Sequence, residues 1–254
     1  MKIVLLGGKG ESTVIMYSAL KNDFNVALNI IEEPVGKMKL IKSRVRRLGY
    51  LKVINQLLFQ LIIAKFLKFT SAKRIQEIKN NYPFQLEPLP ESKTCYVNSI
   101  NSDETQGIII AAKPDIILVN GTRIISKKTL NCTNAIFINT HVGITPTYRG
   151  VHGGYWSLIF NDHDNFGVTV HLVDEGIDTG GILYQGYATP TSKDNFTTYP
   201  YLQYGAAVPI LKAAFNDYYA DELEEIYTDY ADSKLHFHPT FTGYIYNRII
   251  RGIK

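Results

Sequence analysis

Two cysteines in 254 residues, Cys95 and Cys132, cannot make a disulfide scaffold, and neither stands in a CxxC or zinc-type spacing. They read as reduced thiols of a cytoplasmic protein. The chain has no low-complexity tract and no internal repeat. Its first apolar run stops at Leu6, too short for a signal-peptide core or a membrane span. No GxSxG elbow occurs, and neither cysteine lies in a motif, which points away from a covalent intermediate. Charge of one sign is also scarce. A formal net charge of +4 suits small anionic ligands without arguing for nucleic acid. What remains is ordinary for a folded protein, 45% hydrophobic and 20% charged, and long enough for one α/β domain with a smaller appendage.

The rhythm of the chain is that of a doubly wound, mostly parallel α/β sheet. "KIVLL" (2–6) is a continuous apolar run ended by Gly7 and Gly8, as in a buried parallel strand. A helix over 11–21 and a strand over 24–31 follow. After an interruption, strands are predicted at "TCYV", "PDIILVN", "AIFIN" and "GVTVHLVD". Helices are predicted at "SDETQGIIIAA", "SKKTL" and "RGVHGGYWSLIFND". A helical stretch over 199–220 is expected to break at Pro209, and the last thirty or so residues read as an irregular, aromatic extension. The expected organisation is a domain over 1–190 and a C-terminal helix with a short extension over 191–254.

The interruption is a helical insert over about 35–80, basic in its first half and apolar in its second. The apolar half contains Lys52, Asn55, Gln56, Gln60 and Lys65, so a bilayer-spanning helix is not expected. An insert packed on the domain is the plain reading; a surface that meets a membrane or a partner protein is the alternative. The run Lys37, Lys39, Lys42, Arg44, Arg46, Arg47 lacks the aromatic interleaving of a nucleic-acid site, and no nucleic-acid partner is expected. "YPFQLEPLP" (82–90) is a proline-marked connection.

Chemistry concentrates in "FINTHVGITPTYRG" (137–150) and "VHLVDEGIDTGGIL" (170–183). Asn139 and His141 are two apart at the end of an apolar strand, so both side chains leave the same face. Asp178 stands in a glycine-bounded loop directly after another strand. An amide can donate to a developing oxyanion, an imidazole can carry a proton, and a carboxylate can hold the imidazole's tautomer. With no nucleophile in the set, direct transfer of a group between two bound substrates is the indicated chemistry. A dinucleotide-dependent oxidoreductase is disfavoured, because "GGKGES" lacks the third glycine of G-x-G-x-x-G. A catalytically silent binding module would not need all three side chains.

These two segments resemble the N-x-H-x-x-x-x-P segment and the Asp loop of the folate-dependent formyltransferases. That family includes glycinamide ribonucleotide, methionyl-tRNA and sugar N-formyltransferases. The glycine turn at 7–10 and "GTRII" (121–125) fall in the family's order. The likeness is strongest over 114–186 and weaker over 1–31. It implies a Rossmann-like α/β fold and 10-formyltetrahydrofolate as co-substrate, with no metal. Asn139 matches the asparagine on the formyl oxygen, and His141 the histidine that, protonated, meets the oxyanion. Asp178 matches the aspartate that positions this histidine. Thr122, Arg123, Ile124 and Ile125 match the segment lining the folate pocket; Asp174, Glu175, Gly176 and Ile177 match the loop over the pterin. The chain departs from the family at "GITP" (143–146), where "SLLP" is usual, which puts Thr145 beside the acceptor.

The resemblance leaves the acceptor open. Gly8, Lys9, Gly10, Glu11 and Ser12 sit where the ribonucleotide enzymes bind a phosphate, but Glu11 puts a carboxylate there. Its plain role is to favour the helix's first turn. The methionyl-tRNA branch carries a further C-terminal domain for which the sequence after 190 is short. A short appendage fits the sugar branch best, so a nucleotide-linked amino sugar ranks first as small-molecule amine and glycinamide ribonucleotide second. The tyrosines of the C-terminal region read first as core and interface packing; stacking a base or forming a homodimer face is the alternative. His152 is even between substrate contact and packing. His171 reads as structural, His163 as solvated, and His236 and His238 as surface or dimer contacts rather than metal ligands.

Overall fold

The computed structural model describes residues 1–82, 84, 86–228 and 233–254. Pro83 and Gln85 of the proline-marked connection, and 229–232 of the C-terminal extension, lie outside the described residues. The chain opens with β1 (Ile3–Gly8), α1 (Glu11–Leu20) and β2 (Val26–Glu32), then enters the insert. There α2 (Lys37–Leu48) is followed by α3 (Tyr50–Leu58), a π-turn over Phe59–Ile63, α4 (Ala64–Thr70) and α5 (Ala72–Asn81). The α/β rhythm resumes with β3 (Thr94–Val97), α6 (Asp103–Ala112), β4 (Ile116–Asn120), α7 (Lys127–Leu130) and β5 (Ile136–His141). It continues through β6 (Tyr148–Gly150), α8 (Gly153–Ile159), β7 (Gly167–Leu172) and β8 (Ile182–Tyr187). The chain closes with α9 (Tyr199–Ala220), β9 (Lys234–His236) and α10 (Phe241–Ile250).

Seven strands form the central sheet in the order β3-β2-β1-β4-β5-β7-β8. The first five are parallel, whereas β7 runs antiparallel to β5 and β8 antiparallel to β7. This is a Rossmann-like α/β fold. β1 and β4 are buried on both faces, which is why they read as unbroken apolar runs. One face packs Ile15, Met16 and Leu20 of α1 and Leu211 and Phe215 of α9 against Leu5, Leu118 and Val170. The other packs Ile109 of α6 against Val4, Leu6 and Val119. Helix α6 starts where Ser102 Oγ accepts from the Thr105 amide, and α10 where Thr240 Oγ1 accepts from the Gly243 amide.

The fold departs from the sequence reading in four places. Pro209 does not break α9: it sits on the exposed side, and the packing of Ala207, Leu211, Ala214 and Phe215 outweighs one lost backbone hydrogen bond. The helix expected from Arg149 begins only at Gly153, because Gly150 and His152 have positive φ and residues 148–150 are a strand. The C-terminal region is not irregular throughout, since β9 pairs in parallel with β6 and α10 is a regular helix. β8 was not foreseen. The insert is anchored from within: Phe59 packs with Phe196 and Tyr244. Arg74 of α5 grips the buried Asp194 through two bonds of 2.8 and 3.0 Å.

Candidate active site

The parallel strands end at a cavity of about 520 Å³. It lies outside the carboxyl ends of β4 and β5, beside the β1–β4 boundary at which this sheet reverses its winding direction. Asn139 and His141, alternate residues of β5, both line it, and so does Asp178. Asp178 takes a left-handed φ of 52° in its loop, which turns the carboxylate back to the sheet. There Oδ2 accepts from the Gly150 amide at 2.9 Å and lies 3.4 Å from His141 Nδ1.

The protonation states follow from these contacts. Burial alone would raise the Asp178 pKa; the Gly150 amide, and the attraction of His141 and His171 once they are protonated, outweigh it and bring it down to about 2, so Asp178 is a carboxylate. His141 is buried. Desolvation pushes its pKa below 6.5 despite the attraction of Asp178 and the bond to Tyr148. The neutral ring is therefore favoured at rest, and His141 must gain a proton before it can meet an oxyanion. Nε2 stands 2.8 Å from the Tyr148 carbonyl and donates its proton there. The Nδ1 lone pair is left toward Asp178.

That contact explains the unusual glycine of "GITP". A Cβ on Gly143 would come within 2.5 Å of the Tyr148 carbonyl oxygen and 2.7 Å of His141 Nε2. A Cβ on Gly153, at the start of α8, would meet Gly143 Cα at 2.5 Å. The two glycines let helix, turn and imidazole close on one another.

His171 joins the site although it reads as structural in the sequence. Antiparallel pairing sets it directly opposite Asn139. Its Nδ1 donates to the Leu172 carbonyl at 2.6 Å, leaving Nε2 to accept from Asn139 Nδ2 at 3.1 Å. One proton of the Asn139 amide is thereby used to orient it, and the other stays available. Alternation in "GVTVHLVD" placed His171 on a face but could not reveal which strand it would meet.

The remaining site candidates divide. Thr122, Arg123, Ile124 and Ile125 line the cavity, as do Asp174, Gly176 and Ile177. The Arg123 guanidinium is engaged with Glu32. Asp174 braces its own loop by accepting from the Gly176 amide and Thr179 Oγ1. Glu175 turns away to Lys127, 2.8 Å distant at the surface. Gly8, Lys9 and Gly10 do not line the cavity, and Lys9 pairs with Glu33. Glu11 is held by Lys79 and the Tyr201 hydroxyl, while Ser12 reaches the cavity wall. Thr145 is buried, its amide donating to Thr169 Oγ1, and does not face the cavity. His152 is packed on Phe196, 2.9 Å from His238, and lines a neighbouring cavity of about 310 Å³ with Glu11 and Tyr204. Burial pushes His152 down to about 3 and His238 to about 4, so both are neutral.

Sequence reasoning also missed two cations at the rim. Arg44 and Arg47 of α2 line the main cavity. Arg44 donates to Gln56 Oε1 and Arg47 lies over the Phe237 ring; among the described residues neither has a carboxylate partner.

Residues 61–199 match the Formyl transferase family. The chain belongs to this family. The match begins within the insert, in a stretch that shows no likeness by motif. Among curated relatives, the methionyl-tRNA formyltransferase of Desulfotalea psychrophila is 35% identical over 100 residues. Those residues are 39% of this chain and only 31% of that relative's length. Among solved structures, a phosphoribosylglycinamide formyltransferase from Anaplasma phagocytophilum aligns with a TM-score of 0.58 at 14% identity, covering 88% of this chain and 89% of that one. An N-formyltransferase from Helicobacter canadensis, solved with folinic acid and dTDP-3-aminofucose, aligns with a TM-score of 0.53 at 15% identity, covering 93% and 71%. At such identities these structures speak for the fold.

Proposed function

We propose that this chain is an N-formyltransferase, moving a formyl group from 10-formyltetrahydrofolate to the primary amine of a nucleotide-linked amino sugar. The carrying observation is the convergence of Asp178 and His141, 3.4 Å apart, in one cavity with Asn139. In this reading the amine lone pair forms a bond to the formyl carbon, and the carbonyl π electrons move onto oxygen. Asn139, oriented by His171, donates its free N–H to that oxygen, a contact that strengthens only as charge develops. His141 Nδ1, supported by Asp178, accepts the proton shed by the amine. The same proton goes to the donor nitrogen as its bond to carbon breaks and it takes the electron pair. Apolar walls from Val119, Ile124, Ile125, Val142 and Val173, with the backbone of 121–125, suit a flat heteroaromatic ring such as the pterin.

Two features support the acceptor class. Arg44 and Arg47 bring cations with no carboxylate partner to the rim, as an acceptor bearing a diphosphate requires. The helix start at Glu11 suits a phosphate poorly, because the Glu11 carboxylate, bound to Lys79 and the Tyr201 hydroxyl, sets a negative charge beside it.

The test is release of tetrahydrofolate from 10-formyltetrahydrofolate with a panel of nucleotide-linked amino sugars, glycinamide ribonucleotide and methionyl-tRNA. Turnover with an amino sugar is expected, weakened mainly in KM by Arg44→Gln and Arg47→Gln. Turnover with the ribonucleotide or the tRNA alone would overturn the acceptor assignment and leave the chemistry standing.

A further inference from the structure

The insert does more than cover the sheet. Tyr50–Thr70 is a helical run of 21 residues, long and apolar enough to cross a membrane by length and composition. Its inner face is spent on the protein. Val53, Gln56, Phe59 and Leu67 are buried, Gln56 donates to the His238 carbonyl, and Asn55 bonds Thr242 of α10. Crossing a bilayer would strip these contacts. The outer face is equally apolar and covered by nothing among the described residues. Leu51 is 86% exposed, Leu61 58%, Phe66 64% and Phe69 83%, with Ile54 and Ile62 between them. Along a helix this stripe is about 27 Å long, far more than the scattered single side chains of an ordinary surface.

Charge decides what fits it. From Pro34 to Gln76 the chain has no Asp or Glu. Exposed Lys52 and Lys65 accompany the stripe, and α2 brings Lys39, Lys42 and Arg46. A second copy of the chain meeting this face with its own would set cations against cations. A nucleic acid would leave the leucines and phenylalanines without a partner. An interface that is apolar within and negative at its edge matches both features.

We propose that the outer face of Tyr50–Thr70 lies in the surface of an anionic lipid bilayer, with the helix in the plane of the interface and the lysines among the headgroups. This attachment is independent of the formyl-transfer reading and does not need the catalytic residues.

The test is co-sedimentation of the full chain with phosphatidylcholine vesicles, with and without added phosphatidylglycerol, at low and high salt, together with its mass in solution. Binding is expected only with phosphatidylglycerol and should fall as salt rises. Leu61→Asp with Phe66→Asp should weaken it about tenfold or more without changing the folded spectrum. Lys52→Glu with Lys65→Glu should weaken it while leaving the apolar stripe intact. Absence of binding at low salt, equal binding to both vesicles, or a dimer that Leu61→Asp with Phe66→Asp converts to a monomer would overturn the proposal.

Discussion

The edge between β5 and β7 and the outer face of the insert are opposite solutions to placing side chains. At the edge, polar groups are taken out of water and each is given a stated partner: Asn139 to His171, His141 to Tyr148 and Asp178, Asp178 to Gly150. Buried polar groups cost free energy unless so satisfied, and the price is accepted where groups must be aimed. On the outer face of Tyr50–Thr70, large apolar groups stay in water beside exposed lysines, and the chain has no Asp or Glu from Pro34 to Gln76. The first arrangement is complete within the chain; the second is completed by something outside it. Substitutions should therefore separate the two regions cleanly, one changing chemistry and the other attachment.

The largest separation is expected at Asn139→Ala. Loss of an oxyanion donor should lower kcat by ~10²–10³-fold, with an unchanged melting temperature and unchanged vesicle binding. Arg74→Ala tests what joins the regions. It leaves the Asp194 carboxylate buried without its partner, and denaturant unfolding should show a loss of ~3 kcal/mol. Asp178→Asn should reduce kcat and move the pH profile. Asp178 favours the protonated ring, so without it His141 holds its proton less firmly. The acid limb, where a neutral His141 is lost, moves to lower pH than in the parent, whose own limb lies below 6.5. The smallest effect belongs to Phe66→Asp. At an exposed position it should shift unfolding by no more than ~0.5 kcal/mol and leave turnover intact, while vesicle binding falls.

The two regions also differ in how far the sequence disclosed them. Apolar runs ended by glycine located β1 and β4, and the alternation of Asn139 and His141 located the site, because both signals are local. Asp178 was legible from its glycine-bounded loop. His171 was not, since its role depends on antiparallel pairing with β5 rather than on neighbours in sequence. The pairing of β6 with β9 escaped for the same reason, three-residue strands more than eighty positions apart carrying no periodicity. For α10, aromatic residues masked a helical face that becomes visible only against α3. The basic run of α2 was evident as charge; that two of its arginines reach the cavity lined by Asn139 and His141 was not.

The measurement closest to the central claim compares tetrahydrofolate release by the parent chain and by His141→Ala, with an amino-sugar nucleotide as acceptor and circular dichroism to verify folding. The account predicts a folded variant slowed by ~10²–10⁴-fold. A folded variant with near-parental turnover would contradict it, and the proton would have to travel by a route that does not pass through His141.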